Sequence, residues 1–114
     1  MVLVTLTIVA HPRRRAEIVQ ALRSLMLPLQ AAPGFISCRL FQEAGDANTI
    51  FSVEEWHSPE DLDRQIRSIH YTRLLSIMEA AVEPPGLRLN WVTDVKGLEY
   101  LAAVRLGIIS VLPI

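Results

Sequence analysis

The residues Val2 to Val9 read VLVTLTIV. Val2, Val4, Leu6 and Ile8 fill one face of an extended strand, and Leu3, Thr5, Thr7 and Val9 fill the other. The first face is wholly apolar and the second mixed, so both sides are expected to be covered, the second by something less oily. Pro12 suits the first position of a helix, where its missing N–H costs nothing. Ile18, Leu22, Leu25 and Leu29 then recur at helical spacing as a core stripe. Pro28 interrupts that stripe and predicts a break near Ser24, because an interior proline costs about 3 kcal/mol. Pro33-Gly34 supplies the turn that closes the segment.

A second strand is expected over Phe35 to Glu43, with Ile36, Cys38 and Leu40 alternating against Phe35, Ser37, Arg39 and Phe41. Ala44 to Asn48 reads as a short hairpin connection and Thr49 to Trp56 as a third strand. Phe51 and Val53, the oilier set of that strand, are assigned to the helix side. Trp56 then falls on the opposite face and reaches a pocket under the helices only through a bulge or the strand's end. Ser58, Pro59 and Asp61 form a capping box that starts a second helix. Leu62, Ile66 and Ile69 make its inner face, and Leu74, Leu75, Met78 and Val82 continue helically after a break near His70. Glu83-Pro84-Pro85-Gly86 is a stop, and Leu87 to Val95 a fourth strand.

The order strand, helix, strand, strand, helix, strand predicts an α+β, ferredoxin-like βαββαβ domain over residues 1–95, a four-stranded antiparallel sheet with both helices on one face. The other face is left bare and carries Leu3, Phe35, Phe41, Ile50 and Val92. Two such faces packed together would cover those groups, which predicts a homodimer. The tail, residues 96–114, holds a helix-like piece (Leu98, Leu101, Ala102, Arg105) and then a strand-like run. It has no place in the sheet and is expected to dock on the partner subunit.

Composition narrows the classes. The chain has 114 residues, 51% of them hydrophobic, with a mean hydropathy of +0.32, high for a domain of this size and consistent with a subunit interface. A net charge of −1 gives no field for nucleic acid or an anionic membrane. The basic run Arg13-Arg14-Arg15 reads as a solvated helical turn. No positive charge precedes the apolar opening, which is therefore no secretory signal, and no stretch reaches the roughly 18–20 apolar residues of a membrane span. The simplest location is the cytoplasm. The single cysteine, Cys38, excludes an internal disulfide and reads as an inert thiol, and no His/Cys cluster suggests a metal site.

Candidate chemistry gathers in FSVEEWHSPEDLDRQIRSIHYTRLL, Phe51 to Leu75. His57, between the strand end and the helix cap, is expected to be exposed and structural. Trp56 and His70 are the groups able to act. This stretch and the element order resemble the antibiotic biosynthesis monooxygenase (ABM) domain family, over roughly Val2 to Val95. Members commonly show a strand ending in Glu-x-Trp or Glu-Trp, a polar turn, and a helix carrying His-x-x-Ser-x-His. Glu55-Trp56, Ser68 and His70 match, whereas Gln65 stands at the first histidine position.

The resemblance implies a dimeric α+β barrel and oxidation of a quinol or polycyclic phenol by O₂ with no flavin, metal or haem. Haem is discounted further because Thr5 and Thr7 stand where haem-degrading relatives resemble one another in an asparagine. On this reading His70 is the catalytic base and Trp56 a ring-stacking and N–H-donating catalytic partner. Gln65, Phe41 and Tyr71 bind the aromatic substrate. A bicyclic ring would need His70 and Trp56 on one cavity of roughly 300 Å³ or more. The competing expectation is a non-catalytic dimer that binds a small ligand in sensing or stress response, since a fold does not fix a function.

Overall fold

The structure, a computed structural model, describes residues 1–107. Four strands, β1 (Val2–Val9), β2 (Phe35–Glu43), β3 (Asp46–Trp56) and β4 (Gly86–Trp91), form one antiparallel sheet in the order β2-β3-β1-β4. Helices α1 (Arg15–Leu29), α2 (Pro59–Ile66) and α3 (Ile69–Glu79) follow β1 and β3, and a further helix, α4 (Leu98–Arg105), follows β4. The expected ferredoxin-like α+β arrangement is present.

β1 sits in the middle of the sheet, and its alternation is as clean as its sequence: Val2, Val4, Leu6 and Ile8 are buried and the intervening residues half-buried. Leu6, Ile8 and Ala10 pack with Ile18 and Leu22 of α1 and with Ile50 of β3, while Val2 and Val4 pack with Trp56 and Leu62. Each of these apolar side chains contributes about 1.5–3 kcal/mol by leaving water.

The register corrects the face assigned to β3. Ile8 pairs with Ile50, Leu6 with Ser52, Val4 with Glu54 and Val2 with Trp56, so Ile50, Ser52, Glu54 and Trp56 point toward the helices. Phe51 and Val53 pair with Thr7 and Thr5 on the open face. Ile50 therefore leaves the set expected on that face. Phe35 leaves it too: the register slips between Phe35 and Ser37, a bulge at Ile36 that turns the Phe35 ring onto Trp56. No bulge is needed to bring Trp56 inward.

Several boundaries differ from expectation for identifiable reasons. Pro12 lies in a turn before α1, closed by the Arg14 N–H donating to His11 O at 2.8 Å, and the helix starts at Arg15. Arg14 and Glu17 pair at 3.3 Å on the first turn. α1 is not broken near Ser24, because Pro28 falls in the last turn. Beyond it the chain tightens into three-residue bonds (Ala31 N–H to Pro28 O, Ala32 N–H to Leu29 O) that lead into Gly34. Gly34 has φ +79°, and a Cβ there would overlap the Asp61 side chain, so only glycine serves.

The β2–β3 hairpin turns on Ala44-Gly45 alone, with Gly45 at φ +85° and Asp46 already paired to Glu43. The break between α2 and α3 comes at Arg67-Ser68 instead of His70. It leaves Ile69 81% exposed, off the inner face expected for it. Ile66 is exposed as well, and so are Leu75 and Val82, while Leu74, Ile77 and Met78 reach the core. β4 ends at Trp91, short of Val95. The helix-like part of the tail is α4, and the strand-like run that follows falls largely outside the described residues.

Candidate functional site

The inward face of β3 is apolar at both ends, Ile50 and Trp56, and polar between them, Ser52 and Glu54. Over this polar centre lies a cavity of about 40 Å³. Leu22, Leu25, Met26, Pro28 and Leu29 of α1 form its roof, with Leu40 and Cys38 of β2 and Leu74 of α3 as further walls. Gln65, His70 and Tyr71 close it from α2 and α3. The rear half of the α1 stripe thus lines a hollow instead of filling the core. Pro28, Gln65 and His70 also border a separate, open groove of about 260 Å³, edged by Ala31, Pro33, Asp61, Arg64 and Ser68.

Glu54 is the polar group the sequence reading passed over. Its Oε1 accepts a 2.8 Å hydrogen bond from the Trp56 indole Nε1–H. Burial pushes the Glu54 carboxyl above the ordinary glutamate range, and the Trp56 N–H pulls partly the other way. The same region raises its neighbours. Cys38 is pushed up to about 11, first by burial and then by Glu54, against a weak contact of its Sγ with Ser52 Oγ at 3.8 Å. Tyr71 is raised by burial and then by Glu54. At neutral pH Cys38 is a thiol and no nucleophile, as expected.

The residues singled out from sequence separate into three groups. His70, Gln65 and Tyr71 line the cavity, with His70 exposed at its mouth. Trp56 is 0% exposed and is not a wall of the cavity; it meets Phe35 edge to face at 5.6 Å and reaches the site through its hydrogen bond to Glu54. Phe41, 48% exposed, pairs with Phe51 on the open face and stands away from the cavity. The 40 Å³ space holds about three water molecules, not a bicyclic ring. The signal for Glu54 was present: in Glu54-Glu55-Trp56, period-two alternation puts Glu54, and not Glu55, on the tryptophan's face.

The capped start of α2 fixes the lower rim. Ser58 Oγ accepts from the Asp61 N–H at 3.2 Å and donates to Asp61 Oδ2 at 2.8 Å, and Arg64 Nη1 reaches Asp61 Oδ1 at 3.0 Å. Those donors hold the half-buried Asp61 carboxyl below the usual range, Ser58 most of all. Among the described residues no three of His, Cys, Asp and Glu come together as a metal site, and no helix is long and apolar enough to cross a membrane.

A four-stranded sheet with helices on one face, hollowed beneath α1 and α3, defines the class of small α+β domains with a polar-floored cavity. The sequence profile of the antibiotic biosynthesis monooxygenase family matches residues 1–75, which include every polar group of the cavity, and the chain belongs to that family. The fold is shared with solved structures of low identity. An antibiotic biosynthesis monooxygenase is 21% identical, with 82% of this chain and 100% of that one aligned at a TM-score of 0.73. A Mycobacterium tuberculosis protein is 22% identical over 84% of this chain and 98% of its own, at 0.75. A Pseudomonas aeruginosa protein is 22% identical over 82% and 94%, at 0.71. No curated protein sequence matches the chain.

Proposed function

We propose that the chain is a cytoplasmic, cofactor-independent monooxygenase that oxidises a quinol or polycyclic phenol with O₂. The observation that carries this reading is the cavity itself: an apolar slot with Glu54, His70 and Tyr71 converging on it, inside the segment that matches the monooxygenase family. A phenol must lose its proton before it gives an electron to O₂ readily, and the slot offers groups that accept one, His70 among them. The hydroxylated edge of the ring enters the slot, and the rest of a larger substrate lies in the groove past His70 and Gln65. A ring carbon that carries hydrogen takes one oxygen atom as a carbonyl, and the second oxygen leaves as water. The apolar walls keep solvent from the radical pair.

The functional unit in this proposal is a homodimer. The open sheet faces of two copies close on each other, and the tail from Lys96 onward docks on the partner subunit. The exposed Phe41 and the largely exposed α4 support it.

Oxygen uptake by purified protein, stripped of metal and given no flavin, tests the activity with a reduced naphthoquinone or anthrone as substrate. Uptake above the spontaneous rate, lowered about 100-fold or more in His70→Ala, is the expected result, within the usual worth of a general base. Uptake no faster than without protein for every aromatic tried returns the chain to the ligand-binding reading.

A further inference from the structure

We propose that Glu54, held by Trp56, is the group that takes the ligand's hydroxyl at the closed end of the cavity, and that Trp56 positions Glu54 instead of stacking on the ligand. This assignment rests on reading the cavity as a phenol site.

Trp56 has no face to offer a ligand. It is fully buried, one ring edge is packed against Phe35, and its only N–H is spent on Glu54 Oε1. A single hydrogen bond fixes one carboxylate oxygen and leaves the other. Glu54 Oε2 receives no hydrogen bond from any described residue, yet Glu54 lines the cavity. A carboxylate oxygen without a donor, in a hollow roofed by leucines, is an acceptor open to whatever enters the cavity. A hydroxyl satisfies it.

The groups facing Glu54 from each packed element select a neutral donor. α1 contributes only Leu22, Leu25, Met26, Pro28 and Leu29; β1 places Val4 beside it; β2 gives Cys38; α2 gives the neutral amide of Gln65; α3 gives Tyr71 and His70. Among the described residues no lysine or arginine lines the cavity to neutralise the carboxylate. Desolvation makes Glu54 a stronger base than an exposed glutamate. The proton then moves from the phenol oxygen to Oε2, and the resulting carboxylic O–H remains hydrogen-bonded to the phenolate it has made. His70, exposed on the lining of the same cavity, then takes that proton on to water, so turnover still needs the His70 base while the hydroxyl is held by Glu54.

The test is binding of 4-nitrophenol, a single ring whose absorption reports its own protonation state, followed by titration calorimetry and absorbance. The wild-type chain is expected to bind it, and Glu54→Gln to bind it roughly tenfold to a hundredfold more weakly, the worth of a hydrogen bond to a charged group. Glu55→Gln, on the open face of the same strand, is expected to stay within about twofold of wild type. Gln keeps the shape and an acceptor for the Trp56 N–H, so Glu54→Gln should fold. In Trp56→Phe, carbon-13 NMR of labelled glutamate should show Glu54 titrating higher than in wild type, because its only donor is gone. Wild-type protein that fails to bind, Glu54→Gln that binds as well as wild type, or an unmoved Glu54 titration in Trp56→Phe would overturn the assignment. So would a loss in Glu55→Gln equal to that in Glu54→Gln. Because none of these readouts uses O₂, a chain that binds the phenol through Glu54 and takes up no oxygen keeps this assignment and loses the monooxygenase reading.

Discussion

Glu54 and Glu55 are chemically identical neighbours, and the pleat of β3 alone makes them different: one lines a cavity under the helices and the other pairs with Leu3 and Ser37 on the open face. The difference has a thermodynamic signature. The folded state raises the Glu54 pKa above its ordinary value of 4.5, so between those two values the native chain holds a proton that the unfolded chain has released. Stability therefore falls as pH rises through that window, the reverse of a salt-bridged carboxylate. Asp61, held low first by the Ser58 hydroxyl and then by Arg64, acts the other way and at more acidic pH. Thermal melts of wild type and Glu54→Gln across the window should diverge, the wild type losing more of its stability toward neutral pH. Parallel melting curves would place Glu54 in water. The family resemblance drew attention to His70 and Gln65, which line the cavity together with Tyr71. Residue-level reading of the sequence misplaced β3, because Phe51 and Val53 are oilier than Ser52 and Glu54, and hydrophobicity normally marks the inside. The exception is the candidate site, where local rules are expected to yield.

At the scale of elements, cap and turn chemistry was the most legible part. Ser58-Pro59-Glu60-Asp61 starts α2 where the motif says it should, and the hydroxyl both accepts from and donates to Asp61. Ser58→Ala should cost about 0.5–2 kcal/mol in denaturant unfolding, toward the upper end because Asp61 loses a donor as well as its acceptor. A change smaller than this would mean that Arg64 alone suffices to hold the rim. Element ends governed by tertiary packing were less legible. Pro28 was read as a break, but in a final turn a proline removes only one bond, and the chain absorbs this by tightening into Gly34. Ser68, with no side-chain cap bond to its helix, gave no strong start signal, so the α2–α3 break was placed two residues late. The hairpin was read as five residues because Asp46, Ala47 and Asn48 favour turns, while pairing across Gly45 draws them into β3.

As a whole molecule the chain is more extended than a compact domain of its length. Its radius of gyration is 17.0 Å, against about 13 Å for a compact domain of this length. The excess is accompanied by α4, which packs against no other element substantially and leaves Leu98 85% exposed. Trp91 at the end of β4 is 59% exposed and points with Leu87 and Leu89 to the helix side of the sheet edge. On the opposite face Val53, Phe51, Phe41 and Leu3 form an apolar strip among threonines and Arg39. A lone copy leaves both surfaces in contact with water. Two copies closed through the sheets would bury the strip, and tails laid on the partner would bury α4. Light scattering after size exclusion should therefore give twice the 12.8 kDa chain mass. Val53→Glu, which sets a carboxylate in the middle of the strip, should give a monomer, and a chain ending at Lys96 should dimerise more weakly without losing the sheet. The two variants separate the surfaces. A full-length monomer at micromolar concentration would remove the dimer from the proposal. A truncated chain that dimerises as tightly as the full one would confine the interface to the sheets. In Trp56→Phe, Trp91 is the remaining tryptophan, and its emission should shift to the blue on dilution-reversible assembly if the partner's tail covers it.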